Sequence, residues 1–402
     1  MKTIIIIGDG MADYPVPELN DRTPLMAAEK PAIDRIAREG RTGLFCTIEP
    51  DMPTGSAVAN LSVLGYDPRT AFQGRGVLEA ASLGVSLADS DMASRINLIC
   101  IEEGRIRSHS AGHISNQEAH RLIKDLGDHF SDLAISLVPG LSYRHVLVVP
   151  EGDPRLDCAP PHDHFGEPMR DLLVKPLDTQ AQPTADLLNR LILESQAFLK
   201  DHPVNRERLA AGKQPANSLW PWSPGVRPKM KTFQERFGVT GAVITAVDLI
   251  KGLGIYAGLD VIPVEGATGL YDTNYEGKAD ACLRALQDHD LVYVHVEAAD
   301  EAGHERDLAL KIRCIHDLDQ RLVQPILDGL ETLPVEAVVA ILPDHPTPIA
   351  HGKHTRDPVP VAIRDPRQTP DPVCRFDETS VKAGSLGLMA GATFIETVMG
   401  AR

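Results

Sequence analysis

Three short, strongly apolar segments of this chain each lead into acidic or imidazole side chains. This pattern limits the possible folds more than any other feature. The segments are TIIIIGDG at 3–10, LVYVHVEAADEAGH at 291–304 and AVVAILPDH at 337–345. Continuous apolar runs of this length are typical of strands covered on both faces, as in a parallel sheet. Ligands of such sheets gather at the carboxyl ends of the strands. The pattern therefore predicts a layered α/β fold with a functional rim.

The remaining pattern alternates between β-branched runs and helical periodicity, which favours a mainly parallel central sheet. A helix is expected around 24–39. The expected strands are 3–8, 145–150, 241–247, 261–264, 291–297 and 337–342, with another after the turn that contains His354.

The middle of the chain has a different composition. Residues 151–168 and 212–228 are rich in proline and glycine, and the second segment holds both tryptophans. At 402 residues the chain exceeds one ordinary compact domain. We therefore predict an inserted α+β domain at 86–224, within a core formed by 1–85 and 225–402.

Composition excludes several classes of partner. The net charge is −16 and basic runs are absent from the sequence, which argues against nucleic-acid or anionic-membrane binding. An anionic substrate would need a local group of arginine, lysine or metal. Six scattered cysteines without a C-x-x-C pair indicate reduced thiols in a cytoplasmic protein. The first apolar run is too short for a signal peptide, and no stretch approaches transmembrane length.

The polar residues after the strands have the chemistry and spacing of metal ligands. Asp300 and His304 lie four residues apart, so one helical turn would direct both at the same point. Gly303 makes a loop an equal alternative. Asp344 and His345 are adjacent and would face opposite sides of a strand. A shared site therefore requires a loop at the strand end, which the prolines that follow support.

Two further residues complete this set, because Asp9 ends the first apolar run and His354 lies in HGKHTRDPVP. Mixed carboxylate and imidazole ligands suit manganese or zinc better than calcium. Any one of these residues alone is more often a helix cap or a salt-bridged surface group. Their recurrence at successive strand ends favours a centre with two divalent ions, Mn²⁺ or Zn²⁺, with Mg²⁺ or Co²⁺ as alternatives.

A candidate nucleophile lies in DMPTGSAVANLSVLGYDP at 51–68. Ser56 follows Gly55 in a turn and precedes a helical stretch. A serine hydroxyl can be activated by metal coordination, and a helix N-terminus favours a phosphoryl group. A serine in this position is most often only an N-cap. Beside the metal set, Ser56 becomes the leading nucleophile candidate for in-line phosphoryl transfer.

These motifs resemble the cofactor-independent phosphoglycerate mutases of archaeal type, within the alkaline phosphatase superfamily. The resemblance covers nearly the whole chain. It is carried by GDGMAD around Asp9, TGSAVANLSVLGYDP around Ser56, DEAGH at 300–304, DH at 344–345, KHTRDPVP at 353–360, GRGVLEAASLGV at 74–85, SAGHIS at 110–115, PPHDHFG at 160–166 and GATGLYDTNYEGKAD at 266–280.

The resemblance implies an alkaline-phosphatase-like core and a glycolytic activity. Ser56 would carry the phosphoryl group between 3- and 2-phosphoglycerate as a phosphoserine. One ion would be held by Asp300, His304 and His354, and the other by Asp9, Asp344 and His345 together with Ser56. The inserted domain would bind the rest of this small phosphorylated metabolite. From motif positions, the substrate-binding candidates are Arg75, Arg95, Arg144, Arg155, His113, His162 and Asp163, with His109 and His164 as further contacts. Each arginine is equally compatible with a solvated role.

Two departures from the family pattern leave other functions open. Ala57 follows the candidate nucleophile where an acidic residue is typical, and SLWPWSPG at 218–225 replaces a stretch that usually leads to an Arg-Gly pair. The tryptophan version resembles a bacterial branch proposed to phosphorylate homoserine, so Trp220 and Trp222 would line a less anionic pocket or simply pack. The alternatives are phosphotransfer to homoserine, hydrolysis of phosphate esters, and metal binding without catalysis. There is no P-loop for ATP, and the sequence does not fix the oligomeric state.

Overall fold

The computed structural model describes residues 1–400. Its strands are β1 Lys2–Gly8, β2 Arg41–Cys46, β3 Met92–Glu102, β4 Arg105–Ser108, β5 Ser136–Val138, β6 Arg144–Val149, β7 Leu156–Asp157, β8 Lys175–Pro176, β9 Ser218–Val226, β10 Gly241–Ile244, β11 Asp260–Val261, β12 Leu291–Val296, β13 Ala337–Leu342, β14 Val359–Arg364 and β15 Gly387–Ala390.

The helices are α1 Pro24–Ala27, α2 Pro31–Arg38, α3 Ser56–Val63, α4 Pro68–Ala71, α5 Arg75–Ser82, α6 Asn116–His129, α7 Gln182–Lys200, α8 Pro203–Ala210, α9 Phe233–Phe237, α10 Asp248–Tyr256, α11 Tyr275–Asp288, α12 Ala298–His304, α13 Leu308–Leu318, α14 Gln324–Thr332 and α15 Thr393–Met399. A π-helical turn at Asp319–Val323 joins α13 to α14. Within residues 1–400, no helix is both long and apolar enough to cross a bilayer.

The chain forms two compact units, one of residues 1–72 and 229–402 and the other of residues 73–228. These boundaries differ from the expected 85/86 and 224/225. The segment that was expected in the core contains α5, which packs against β3 and β9 of the second unit. The approach is close, because a Cβ at Gly76 would lie 2.6 Å from the carbonyl oxygen of Ala93.

The first unit is built on an eight-stranded sheet in the order β11-β10-β12-β1-β13-β14-β2-β15. Adjacent strands from β11 to β13 in this order pair in parallel, whereas β14 runs antiparallel to both β13 and β2. The predicted mainly parallel sheet is confirmed. The four isoleucines of β1 are fully buried, as expected for a strand covered on both faces.

Local differences from the predicted elements have physical causes. The expected helix at 24–39 is two helices, because Pro31 begins α2 and the residue before a proline is disfavoured in the α conformation. Lys30, the residue before Pro31, accordingly lies outside the α region, and Ala28 has extended backbone angles. The strand expected at 261–264 is reduced to the two residues of β11, and β14 is the strand expected after His354.

The second unit is an α+β structure with an antiparallel sheet in the order β4-β3-β6-β5, and β9 also pairs with β3. The proline- and glycine-rich segment 212–228 therefore contains a strand. Its prolines are compatible with β9 because an edge strand can lack ladder donors. Trp220 of β9 is buried in the core and donates from Nε1 to the carbonyl oxygen of Ala159 at 2.8 Å.

A buried lysine of α13 joins two loops at the carboxyl edge of the large sheet. Lys311 Nζ donates to Asp13 Oδ2 at 2.7 Å, to the carbonyl oxygen of Ala12 at 3.2 Å and to that of Thr347 at 2.8 Å. Ala12 and Asp13 follow β1, and Thr347 follows β13. The ammonium is fully buried and all of its described partners are oxygen atoms, so it holds the two loops in register.

Replacing this lysine should destabilise the first unit strongly. Lys311→Met removes the charge partner of a buried carboxylate, and we expect a loss of about 3–5 kcal/mol in unfolding free energy. Urea denaturation measures it. Lys2→Met removes the half-exposed pair with Asp290 and should cost less than about 1 kcal/mol. Equal losses for both variants would contradict the role given to Lys311.

Candidate functional site

The carboxyl edge of the large sheet carries three buried carboxylates. Asp9 follows β1, Asp300 lies in α12 after β12, and Asp344 follows β13; none is more than 3% exposed. Parallel pairing aligns these strand ends, since Gly8 pairs with Val296 and Ile7 with Leu342. The strand-end prediction for these three residues therefore agrees with the structure.

The first group of metal-ligand character consists of Asp300, His304 and His354. His304 Nε2 lies 3.1 Å from Asp300 Oδ2, and His354 Nε2 lies 3.4 Å from Asp300 Oδ1. The two imidazole Nε2 atoms are 2.9 Å apart. The turn at 300–304 is helical despite Gly303, whose missing side chain matters because a Cβ would lie 2.5 Å from the carbonyl oxygen of Thr347.

In this group, an imidazole carries a proton at the position where a metal cation would bind. The hydrogen bond to Asp300 raises the pKa of His304 to about 9. Burial alone would raise the pKa of the Asp300 carboxyl, but hydrogen bonds from His304 and His354 hold that pKa well below its usual range. His304 Nδ1 lies 2.9 Å from the carbonyl oxygen of Gly352, which directs Nε2 into the group.

The second group surrounds Asp9. Its Oδ1 lies 3.6 Å from His345 Nε2, and His345 Nε2 lies 3.5 Å from Asp344 Oδ2. The predicted residues Asp9, Asp344 and His345 thus lie together. Two sets with metal-ligand spacing occur here, namely Asp9 with His295 and Asp344, and Asp9 with Asp300 and His345.

His295 is a site residue that sequence reasoning missed. Its Nε2 lies 3.0 Å from Asp9 Oδ2, and burial lowers the pKa of His295 to about 4. It occupies β12 inside the run LVYVHV, where a single imidazole in an apolar strand has the pattern of a packed core residue. The only sequence signal was a polar side chain near the end of that strand.

The donor set around Asp9 fits a divalent cation. Asp9 Oδ1 is buried and has no hydrogen-bond partner among the described residues. Burial, and then the charges of Asp344 and Asp300, raise the pKa of Asp9 well above its usual range. Carboxylates crowded in this way need positive charge to remain ionised. Imidazole and carboxylate ligands together are typical of zinc and manganese rather than calcium.

The candidate nucleophile adjoins the second group. Ser56 is the first residue of α3, and its Oγ lies 3.1 Å from His345 Nε2. One turn later, Asn60 Nδ2 donates to the Ser56 carbonyl oxygen and to Asp344 Oδ2, both at 2.8 Å. Asn60 Oδ1 accepts from the Tyr293 hydroxyl. A fully buried amide therefore links the serine to a ligand carboxylate, and neither Asn60 nor Tyr293 was predicted.

In the second unit, most of the predicted substrate residues gather around two aromatic rings. His109 and His113 meet the Tyr143 ring edge-on, with centroids 5.6 and 6.3 Å apart. His162 meets Trp222 edge-on at 5.2 Å. The cations near these rings are Arg75, Arg95 and Arg144.

The other candidates have local partners. Arg155 pairs with Asp153 and Asp178 on the surface and does not share the ring contacts of the other three arginines. Asp163 is exposed, 3.8 Å from His162 Nε2, and His164 Nδ1 lies 3.1 Å from Glu167. These contacts of Arg155 agree best with the alternative that it is a solvated surface arginine.

The fold and its rim define the class: an α/β protein with a mainly parallel sheet whose carboxyl edge carries groups able to hold divalent metal ions. A family model for 2,3-bisphosphoglycerate-independent phosphoglycerate mutase matches residues 37–205. The mutase of that name from Methanosarcina acetivorans is 51% identical over 397 residues, 98% of each chain. This chain belongs to the 2,3-bisphosphoglycerate-independent phosphoglycerate mutase family, as the motifs predicted.

Other relatives agree along the full length. A probable mutase of the same description from Geobacter sulfurreducens is 45% identical, over 99% of this chain and all of its own. A solved protein of Pyrococcus horikoshii superposes with a TM-score of 0.84 at 31% identity, covering 99% of this chain and 97% of that one. A cofactor-independent phosphoglycerate mutase from Thermoplasma acidophilum gives 0.69 at 29% identity, covering 100% and 99%.

The first group should lose its ion when one imidazole is removed. We expect His354→Ala to lower the zinc or manganese content by about one ion per chain, because the remaining ligands no longer close the site. Metal analysis after dialysis against the ion measures this. His351→Ala is the matched control, since His351 Nδ1 accepts from the Lys353 backbone and is outside both groups. Unchanged metal content in His354→Ala would contradict the assignment.

Removing the side-chain amide of Asn60 should lower the free energy of unfolding, because this amide bonds to two other buried side chains. Asn60→Leu leaves buried polar atoms of Tyr293 and Asp344 without their partner, and we expect a loss of about 1–3 kcal/mol in unfolding free energy. Tyr293→Phe removes only one hydroxyl. Because both changes break the same bond, the double variant should be less destabilised than the sum of the two. Additive losses in urea denaturation would contradict the shared network.

Proposed function

We propose that this chain interconverts 3-phosphoglycerate and 2-phosphoglycerate through a phosphoserine at Ser56. The observation that supports this best is the position of Ser56 Oγ, 3.1 Å from a histidine of a metal-capable group and at the first residue of α3. The family membership and the full-length relatives named as mutases support the same reaction.

In this proposal the two groups hold two divalent ions, Mn²⁺ or Zn²⁺. Asp300, His304 and His354 would hold one ion. Asp9, Asp344 and His345 would hold the other together with Ser56, and His295 would orient Asp9 through its 3.0 Å contact. When bound, such ions stabilise negative charge on phosphoryl oxygens and on the attacking and leaving oxygens.

The proposed reaction consists of two phosphoryl transfers, one to Ser56 and one from it. Ser56 Oγ forms a bond to phosphorus as the bond from phosphorus to the substrate 3-oxygen breaks, and the serine proton ends on that oxygen. In the second half-reaction the glycerate 2-hydroxyl takes the phosphoryl group, and its proton returns to Ser56. The first N–H groups of α3 lack helical partners and favour the phosphoryl oxygens. No oxidant or external donor is needed.

The second unit would contribute the binding of the substrate's remaining anionic group. The protein carries a net charge of −16, so an acidic metabolite requires a local concentration of cations. The arginines beside Trp222 and Tyr143, which are Arg75, Arg95 and Arg144, provide it. The surface-paired Arg155 is a weaker candidate.

Replacement of the nucleophile tests the proposal. Ser56→Ala should lower turnover in an enolase-coupled assay of metal-loaded protein by at least about 10⁴-fold, since it removes the atom that is phosphorylated. Ser62→Ala is the control: Ser62 lies in the same helix and is buried, and among residues 1–400 its hydroxyl bonds only to the Val58 carbonyl oxygen. It should retain activity within about threefold.

Other results would select another function. Absence of 2-phosphoglycerate with metal-loaded wild type would overturn the mutase proposal. Release of inorganic phosphate faster than isomerisation would indicate a hydrolase. Formation of phosphohomoserine from homoserine and a phosphoryl donor would indicate the phosphotransferase. If the Ser56→Ala variant kept every measured property except thermal stability, metal binding without catalysis would be the remaining function.

A further inference from the structure

The ring of Trp222 adjoins two arginines and one histidine of the cationic cluster in the second unit. The guanidinium carbon of Arg95 lies 4.8 Å from the centroid of its ring, and that of Arg75 lies 5.8 Å away. The His162 ring lies edge-on to it at 5.2 Å. The indole is only 5% exposed. A buried aromatic face therefore attracts two of the cations and packs against a third titratable group.

The polar edge of the same indole is fixed as well. Trp222 Nε1 donates to Asn97 Oδ1 at 3.0 Å, and Arg95 Nε donates to the same oxygen at 3.3 Å. Asn97 Nδ2 donates in turn to the carbonyl oxygen of His109 at 3.0 Å. One buried amide thus sets the positions of the indole, a guanidinium and the backbone beside a histidine.

The cluster carries more positive charge than its own acids neutralise. Glu79 pairs with Arg95 Nη1 at 3.0 Å. Burial lowers the pKa of Arg95 to about 10; Glu79 opposes this, while Arg75 and Arg144 lower it further. Three guanidinium groups close enough to repel one another are most favourable when an anion lies among them.

We propose that Trp222 is a positioning residue that holds Arg95 and Arg75 in the arrangement that binds the carboxylate of the phosphorylated substrate. This inference rests on the proposed function for the identity of that anion. The indole itself does not react. It fixes the direction of the two guanidinium groups and, through Asn97, the histidine segment beside them.

The chain contains a matched control for this residue. Trp220 lies in the same strand, is equally buried, and also donates from its Nε1, but to the carbonyl oxygen of Ala159. Among the described residues, no arginine lies over its ring. Loss of either tryptophan should destabilise the unit to a similar degree, whereas only Trp222 should affect anion binding.

Because the sequence has two tryptophans, each single replacement leaves the other as the only indole. The titration uses metal-free protein at low salt. In Trp220→Phe, the fluorescence emission of Trp222 should change as 3-phosphoglycerate is added. This change should become smaller as salt is added. In Trp222→Phe, the emission of Trp220 should not respond. This measurement does not require turnover.

Kinetics provide the second measurement. Trp222→Leu should raise KM for 3-phosphoglycerate about tenfold, with kcat within about threefold, because the cations lose their aromatic support. Trp222→Phe, which retains a ring, should restore most of this loss. Trp220→Phe should leave KM unchanged even where its thermal midpoint falls.

The outcomes separate this inference from the proposed function. Mutase activity together with a silent Trp222 emission and an unchanged KM in Trp222→Leu would overturn the role of Trp222. An emission response without any mutase activity would overturn the proposed function and retain the anion-binding role. A KM increase of the same size in Trp220→Phe would show a structural effect and would also overturn the inference.

Discussion

The repulsion among three buried carboxylates is the interaction on which the site depends. Asp9, Asp300 and Asp344 lie at aligned strand ends with almost no access to water. Burying carboxylates this close together in a low-dielectric interior costs free energy unless positive charge compensates them. In the protein alone, imidazoles provide part of it, as the raised pKa of His304 shows. The unpartnered oxygen of Asp9 shows that this compensation is incomplete, and a divalent cation is the natural way to complete it.

The surrounding structure keeps these charges in place. Lys311 joins the loops after β1 and β13, and Asn60 connects the first turn of α3 to Asp344. Both side chains are buried and hydrogen-bonded, so they restrain the loops and the helix that carry the carboxylates. The proposed nucleophile Ser56 is therefore positioned by the same amide that holds Asp344.

Much of the site could be predicted from the sequence because strand-end residues have a recognisable pattern. An apolar run followed by Asp or His places a polar group at a sheet edge whichever helices surround it. His295, Asn60 and Tyr293 escaped prediction for the opposite reason. They lie inside a strand or a helix, where a polar side chain looks like a satisfied core residue, and only the neighbouring elements show what it contacts. Arg155 was selected by motif position, but nearby aspartates engage it on the surface.

The sequence by itself determined the fold class, the parallel strands and the family, and it selected the candidate ligand residues, since each depends on local patterns or on motifs along the chain. Tertiary structure alone decided that α5 belongs to the second unit, that the proline-rich segment 218–226 is a strand, and that Trp222 rather than Trp220 contacts the cations. These outcomes depend on pairing between segments far apart in sequence. β9 becomes a strand because β3 offers it an unpaired edge, and its side chains acquire their roles from the register of that pairing.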